Sequence, residues 1–154
     1  MIPLMVYEPR FYRDQMLAKG LVSFQVMVKE TDLHVSAERD LQAEALAAVL
    51  KCRNELEDYI AQNKRFVESY HPVEVPESAP QIVKDMAAAA KIVGVGPMAA
   101  VAGAIAEYVG KELLAFSKEV IVENGGDIFM KSGKTRRILI YAGRSSLSNQ
   151  IALE

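Results

Sequence analysis

Ile92–Ala106, read IVGVGPMAAVAGAIA, constrains this chain more than any other stretch. It is uncharged over 15 residues, and almost no side chain in it exceeds Met in size. Gly94 and Gly96 loosen the backbone, and Pro97 fixes φ at the first turn of a helix. That helix is lined by Ala99, Ala100, Ala102, Gly103, Ala104 and Ala106. Side chains this small admit another backbone or a flat ligand at close range. Glycine within a helix costs about 0.5–1 kcal/mol relative to Ala, so Gly103 implies close approach. A Gly-rich turn opening a helix also leaves N–H groups beside the positive end of the dipole, which suits an anion. A buried helix packed tightly on a sheet accounts for the same residues. The run is shorter than the roughly 20 residues of a membrane span, and Gly94, Gly96 and Pro97 interrupt it.

The remaining residues surround this helix with alternating strands and one long amphipathic helix. After Gly20, Val22, Phe24, Val26 and Val28 alternate with Ser23, Gln25, Met27 and Lys29, a strand of period two. Thr31-Asp32 reads as a turn and Leu33-His34-Val35 as the returning strand. Ser36 is placed to cap the next helix, with Glu38 and Asp40 in its first turn. Leu41, Ala45, Val49, Cys52, Leu56, Tyr59 and Ile60 form an apolar stripe that ends near Gln62-Asn63. Phe66–Pro80 reads as a loop, and Pro80 opens a short helix bearing Ile82, Val83, Met86, Ala87 and Ala90. Val120-Ile121-Val122 is a β-branched central strand. Asn124-Gly125-Gly126-Asp127 turns the chain into Ile128-Phe129-Met130, and Arg137–Tyr141 makes a further strand. Phe11, Tyr12, Met16 and Leu17 are expected to cover part of the core. The expected fold is α+β: a mixed, mainly antiparallel sheet with about three helices packed on it, in one domain spanning residues 1–154.

Composition narrows the function classes. Lys and Arg number 18 against 20 Asp and Glu, so the net charge of −2 gives no electrostatic footprint for nucleic acid. The single Cys52 excludes an internal disulfide and a Cys-based zinc site. The opening MIPLMVYEPRFYR is charged too soon for a secretory h-region. The expectation is a cytoplasmic protein with no membrane partner. The ending SNQIALE alternates like the start of another strand and looks cut off.

Three places could carry chemistry. Around Gly94, Gly96, Pro97 and Met98, backbone N–H groups open the Ala/Gly helix. At Glu123–Asp127, Gly125 and Gly126 allow close approach to the main chain and could form an anion nest, while Glu123 and Asp127 add carboxylates for a ribose hydroxyl or hydrated Mg²⁺. At Glu30-Thr31-Asp32, two carboxylates and a hydroxyl share one turn. Each place also has a purely structural reading, as helix start, type I′ hairpin and ordinary turn. His34 and His71 lack metal-ligand spacing. Lys131, Lys134, Arg136, Arg137 and Arg144 make a basic cluster that suits a solvated face or a phosphate. Gly94-Val95-Gly96 lacks the third glycine of a dinucleotide fingerprint and follows no strand.

Several phrases together resemble an uncharacterised prokaryotic family related to the ApbE-type flavin transferases: GLVSFQVMVKETDLHVSAERDL, APQIVKDMAAAA, VGVGPMAAVAGAIAEYVG, VIVENGGDIFMK and IYAGRSSLSNQIAL. The resemblance runs from about Phe11 to the last residue. It implies an α+β fold enclosing a flavin nucleotide, FAD as ligand, and Mg²⁺-dependent transfer of FMN to a Thr of a target protein or hydrolysis of FAD. Gly96-Pro97-Met98-Ala99-Ala100 is similar to the Gly-Ile-Ala-Lys-Gly helix start of those enzymes. Asn124-Gly125-Gly126-Asp127-Ile128 is similar to their Gly-Gly-Asp-Ile strand, and Thr31 stands near their early-strand Thr. Ala100 replaces the motif Lys, which removes a phosphate-pairing charge. The Asp and Thr that bind Mg²⁺ in those enzymes belong to a part beyond this chain, which leaves the implied metal site incomplete. The implied cofactor-binding set is Thr31, Asp32, Gly94, Gly96, Pro97, Met98, Asn124, Gly125, Gly126 and Asp127. The alternative from another class is a non-catalytic binding module or homo-oligomeric assembly module, with the Ala/Gly helix as its packing surface.

Overall fold

The computed structural model describes Arg10, Arg13, residues 18–148 and residues 150–154. The expectations for Phe11, Tyr12, Met16 and Leu17 lie outside the described residues. Two compact units divide the chain: Gly20–Gly133, and Met1–Lys19 with Lys134–Glu154.

The larger unit begins with a hairpin, β1 (Val22–Val28) and β2 (Thr31–Ala37). Its turn is Lys29-Glu30, with Lys29 at φ 53°. The expected turn at Thr31-Asp32 is therefore corrected: both residues open β2 and are buried. Hydrogen bonds to side chains make their burial affordable. The Thr31 hydroxyl accepts from Arg53 at 2.7 Å, and Asp32 accepts from Gln25 at 2.7 Å. Ser36 is corrected too. It lies within β2 and pairs with Ser23 across the hairpin, hydroxyl to hydroxyl at 2.8 Å. The helix α1 (Gln42–Gln62) starts later, where Asp40 accepts from the backbone N–H of Gln42.

The stripe read from the sequence holds. Ala45, Val49, Cys52 and Leu56 are buried, along with Leu41 just before the helix. Across the start of the expected loop a short helix forms, α2 (Lys64–Glu68), because Phe66 buries against the core and meets Tyr59 edge-on with centroids 5.4 Å apart. Next comes α3 (Gln81–Val93), which buries the five residues expected of it. Gly94 ends it in the left-handed conformation, φ 76°. A 3-10 turn at Pro97–Ala100 then leads into α4 (Val101–Leu113). The break turns the chain through 106° between the two helices. No single helix among the described residues is long and apolar enough to cross a membrane.

The sheet closes with β3 (Val120–Asn124) and β4 (Asp127–Lys131), in the order β1-β2-β3-β4, every pairing antiparallel. Both α+β and a mainly antiparallel sheet hold, and no parallel pair appears among the described strands. One face of the sheet presents Val26, Leu33, Val35, Val120 and Val122 to the helices, and all five are buried. Against it α4 buries Ile105, Ala106, Val109, Gly110 and Leu113. The close approach expected at Gly103 occurs at Gly110: a Cβ there would stand 2.0 Å from the Phe129 ring.

In the other unit, β5 (Ile138–Leu139) and β6 (Ala152–Leu153) form a short antiparallel pair. The expected strand Arg137–Tyr141 is thus two residues long, flanked by an Arg137–Glu154 ion pair at 3.1 Å.

Candidate functional site

The bend between α3 and α4 opens a cleft of about 210 Å³. Two rows of α4 and the preceding turn form its floor, each at the i, i+4 spacing that puts side chains on one helix face. The first row is Ala99, Gly103 and Glu107, and the second is Ala100, Ala104 and Tyr108. Ala106, grouped with Gly103 in the sequence, faces the core instead. From α3 come Asp85, Met86 and Ala89, and Asp127 reaches in from the start of β4.

Gly103 keeps the floor low. A Cβ at Gly103 would stand 3.8 Å from the Cβ of Asp127 and 3.7 Å from its carboxyl carbon, an ordinary contact. The missing methyl therefore leaves room under Asp127 and relieves no clash. Asp85 is fixed on the opposite side. It accepts from the Tyr108 hydroxyl at 2.6 Å and from Gln81 at 2.8 Å. Burial and the bond to Asp85 raise the Tyr108 phenol above its ordinary value, so Tyr108 stays a protonated donor. Glu107 pairs with Lys111 one turn on. The cleft thus combines an apolar floor with a rim of carboxylates, and it favours a ligand edge rich in N–H or O–H donors. A phosphate inside it would meet three acidic side chains.

The Asn124–Asp127 hairpin borders this cleft. Gly125 and Gly126 take φ 63° and 101°, as a type I′ turn requires, so the central pair is Gly-Gly and Asn124, which the Asn-Gly signal placed in the turn, ends β3 instead. The N–H of Gly126 donates to the Glu123 carboxylate at 2.8 Å, and Glu123 is buried. The chain's own carboxylate therefore occupies one donor of the anion nest read from the sequence. Asn124 is buried as well, and its amide donates to the Ala102 carbonyl of α4 at 3.0 Å.

Of the residues marked in the sequence, Asp127 lines the cleft, with Gly103, Ala99 and Ala100 beneath it. Thr31 and Asp32 lie at the hairpin end of the sheet, since Leu33 pairs with Asn124 and the two precede it. They do not line the cleft. Gly94, Gly96, Pro97 and Met98 form the approach to α4. Gly96 is pressed against the Ser69 carbonyl, where a Cβ would stand at 1.8 Å, and Pro97 is buried. These four hold the bend and lie outside the cleft lining. Asp85, Glu107 and Tyr108 went unmarked. Their signal was the helical spacing Asp85–Ala89 on one helix and Gly103–Glu107 on the next.

Among the described residues no group of three or more His, Cys, Asp and Glu side chains is placed to hold a metal ion. In the cleft, Asp85 and Glu107 are already engaged by Tyr108, Gln81 and Lys111. The Mg²⁺ implied by the sequence resemblance does not fit these residues.

A family model described as AbpE bacteria matches residues 14–154. The chain belongs to the AbpE bacteria family. Its relatives include a UPF0280 protein of Methanocaldococcus jannaschii, 44% identical over 128 residues, which cover 82% of this chain and 52% of the relative. A UPF0280 protein of Archaeoglobus fulgidus is 42% identical over 123 residues, 79% of this chain and 52% of that one. A UPF0280 protein of Methanococcus aeolicus is 37% identical over 136 residues, 87% and 55%. This AbpE bacteria chain spans about half the length of the curated relatives it matches. Within it, the matched residues take in the cleft, the hairpin and both helices that form the bend.

Proposed function

We propose that this chain is a flavin-nucleotide-binding module, with the cleft between α3 and α4 holding a planar ring of FAD. The observation that carries the reading is the position of the Asp127 carboxylate over Gly103, above a floor of Ala99, Ala100 and Ala104. A flat ring can slide over such a floor, and a carboxylate at its edge accepts hydrogen bonds from ring N–H or sugar hydroxyl groups. The volume of about 210 Å³ is below the roughly 300–1,000 Å³ typical of pockets for drug-sized ligands, so one ring system enters and the pyrophosphate stays outside. The acidic rim supports the same orientation, and the resemblance to ApbE-type enzymes at Gly96–Ala100 and Asn124–Ile128 supports a flavin nucleotide as the ligand. Binding is the proposed activity of this chain. Transfer of FMN or hydrolysis of FAD is proposed only for the whole protein, and no step is derived through Mg²⁺.

Calorimetric titration of the purified chain with FAD tests the reading. Binding in the micromolar range corresponds to about −8 kcal/mol, and Gly103→Leu, which fills the cleft, should abolish it while leaving the fold intact. FAD affinity unchanged by Gly103→Leu would remove the ligand from this cleft.

One observation favours a second reading, an assembly module. Ile92 and Val93 at the end of α3 are 84% and 71% exposed, and Tyr70 is 89% exposed, its Cα packed beside Gly96. Sedimentation velocity separates the two readings. An oligomer that Val93→Lys dissociates, together with no FAD binding, selects assembly.

A further inference from the structure

We infer that Asn124 is a positioning residue, whose bond to α4 sets the height at which Asp127 stands over the cleft floor. The hairpin that carries Asp127 is two glycines long, and both occupy the left-handed region. Glycine pairs of this kind are the least restrained part of a sheet. Two side-chain bonds restrain this one. Glu123 holds the N–H of Gly126 at 2.8 Å and ties the turn back onto its own strand. Asn124 holds the carbonyl of Ala102 at 3.0 Å and ties the end of that strand to α4. Ala102 immediately precedes Gly103, so the tie reaches the helix at the residue beside the cleft floor. Asn124 and Asp127 are the closing pair of the hairpin and share one face of the sheet, the face turned to α4. Fixing Asn124 against Ala102 therefore fixes Asp127 against Gly103.

The geometry supplies a readout that needs no ligand. The Cβ of Asp127 lies 3.8 Å from the Cβ position of Gly103, and disulfides have a mean Cβ–Cβ separation of about 3.8 Å. A Gly103→Cys, Asp127→Cys protein should oxidise rapidly to an internal disulfide. Adding Asn124→Ala should slow that oxidation about fivefold, the population shift expected from losing one hydrogen bond. Asn124→Leu keeps the shape, removes the donor and should act alike; it serves if Asn124→Ala does not fold.

A second readout rests on the flavin reading. In FAD titrations, Asn124→Ala should weaken binding when Asp127 is present and have little further effect in an Asp127→Ala background. Oxidation rates unchanged by both Asn124 variants would overturn the inference, as would strictly additive losses in the titration. Slowed oxidation in a protein that binds no FAD would leave Asn124 as the positioning residue and remove the flavin reading alone.

Discussion

Gly103 and Gly110 sit two turns apart on α4 and do opposite things. A methyl at Gly103 meets Asp127 at ordinary contact distance, so Gly103→Ala should stabilise the helix by about 0.5–1 kcal/mol while narrowing the cleft. A methyl at Gly110 lands inside the Phe129 ring, so Gly110→Ala forces α4 off β4 and should cost about 1–3 kcal/mol. Thermal melts of the two variants should therefore move in opposite directions; equal losses would contradict the packing. Cys52 is similarly decided by where its side chain lies. It is buried on the α1 stripe, and burial pushes its thiol up to about 11. It should react with a thiol reagent at pH 8 only as fast as the protein unfolds. Because the folded value exceeds the ordinary 9.0, its contribution to stability is complete below about pH 9 and is lost as pH rises through 11.

One guanidinium of α1 holds the tip of the β1–β2 hairpin at several points, beside a Lys29–Glu57 ion pair at 2.6 Å. Arg53 donates to Thr31 at 2.7 Å, to Glu30 at 2.9 Å and to Glu57 at 2.7 Å, and its side chain is 12% exposed. A Lys has no planar fork and cannot serve all three. Arg53→Lys should speed amide exchange across Lys29–Asp32 and leave α1 protected; unchanged exchange would show that the turn holds itself. The same cluster carries a pH dependence. Hydrogen bonds from Lys29 and Arg53 hold the Glu57 carboxyl below its ordinary 4.5, and a backbone bond and Arg53 do the same for Glu30. A depressed folded value means stability that is present above about pH 4.5 and lost as pH falls through the lowered value. Melts between pH 7 and pH 3 should show this loss, and Arg53→Ala should reduce it, leaving the part due to Lys29 and the backbone bond.

For the molecule as a whole, the bend between α3 and α4 matters most, because it creates the cleft. Gly94 ends α3 with a positive φ, and Gly96 lets the chain pass against the Ser69 carbonyl. Gly96→Ala must displace the Ser69 backbone. It should open the bend and weaken FAD binding with the 99/103/107 row itself untouched. Gly94→Ala meets open space and should show only the strain of its φ, about 1–2 kcal/mol. A Gly96→Ala protein with unaltered melting and unaltered FAD affinity would place the origin of the cleft elsewhere.

The α1 stripe, the β1 alternation, the type I′ hairpin and the apolar face of α3 were legible in the sequence because each is a local period or a local turn signal. Burial then followed those periods along most of their length, with Val22 at the start of β1 exposed and Tyr59 and Ile60 of the α1 stripe half-buried. The turn at Lys29-Glu30 was displaced by two residues because Thr31 and Asp32 look like turn formers until Arg53 and Gln25 supply their partners from elsewhere in the chain. Ser36 looked like a helix cap for the same reason, and a cross-strand serine took it into β2. Spacing marked the small-residue face of α4. It could not divide that face into a core row ending at Gly110 and a cleft row centred on Gly103, because that division depends on where Phe129 and Asp127 arrive from β4. Nor could it show that Glu123 closes the hairpin's own N–H or that Asn124 reaches Ala102. Sequence alone determined most of the elements, since a helical or strand period is carried by the residues within it, whereas α2 and the start of β2 were set by partners elsewhere in the chain. Tertiary structure alone decided the cleft, since its walls are three segments brought together by packing.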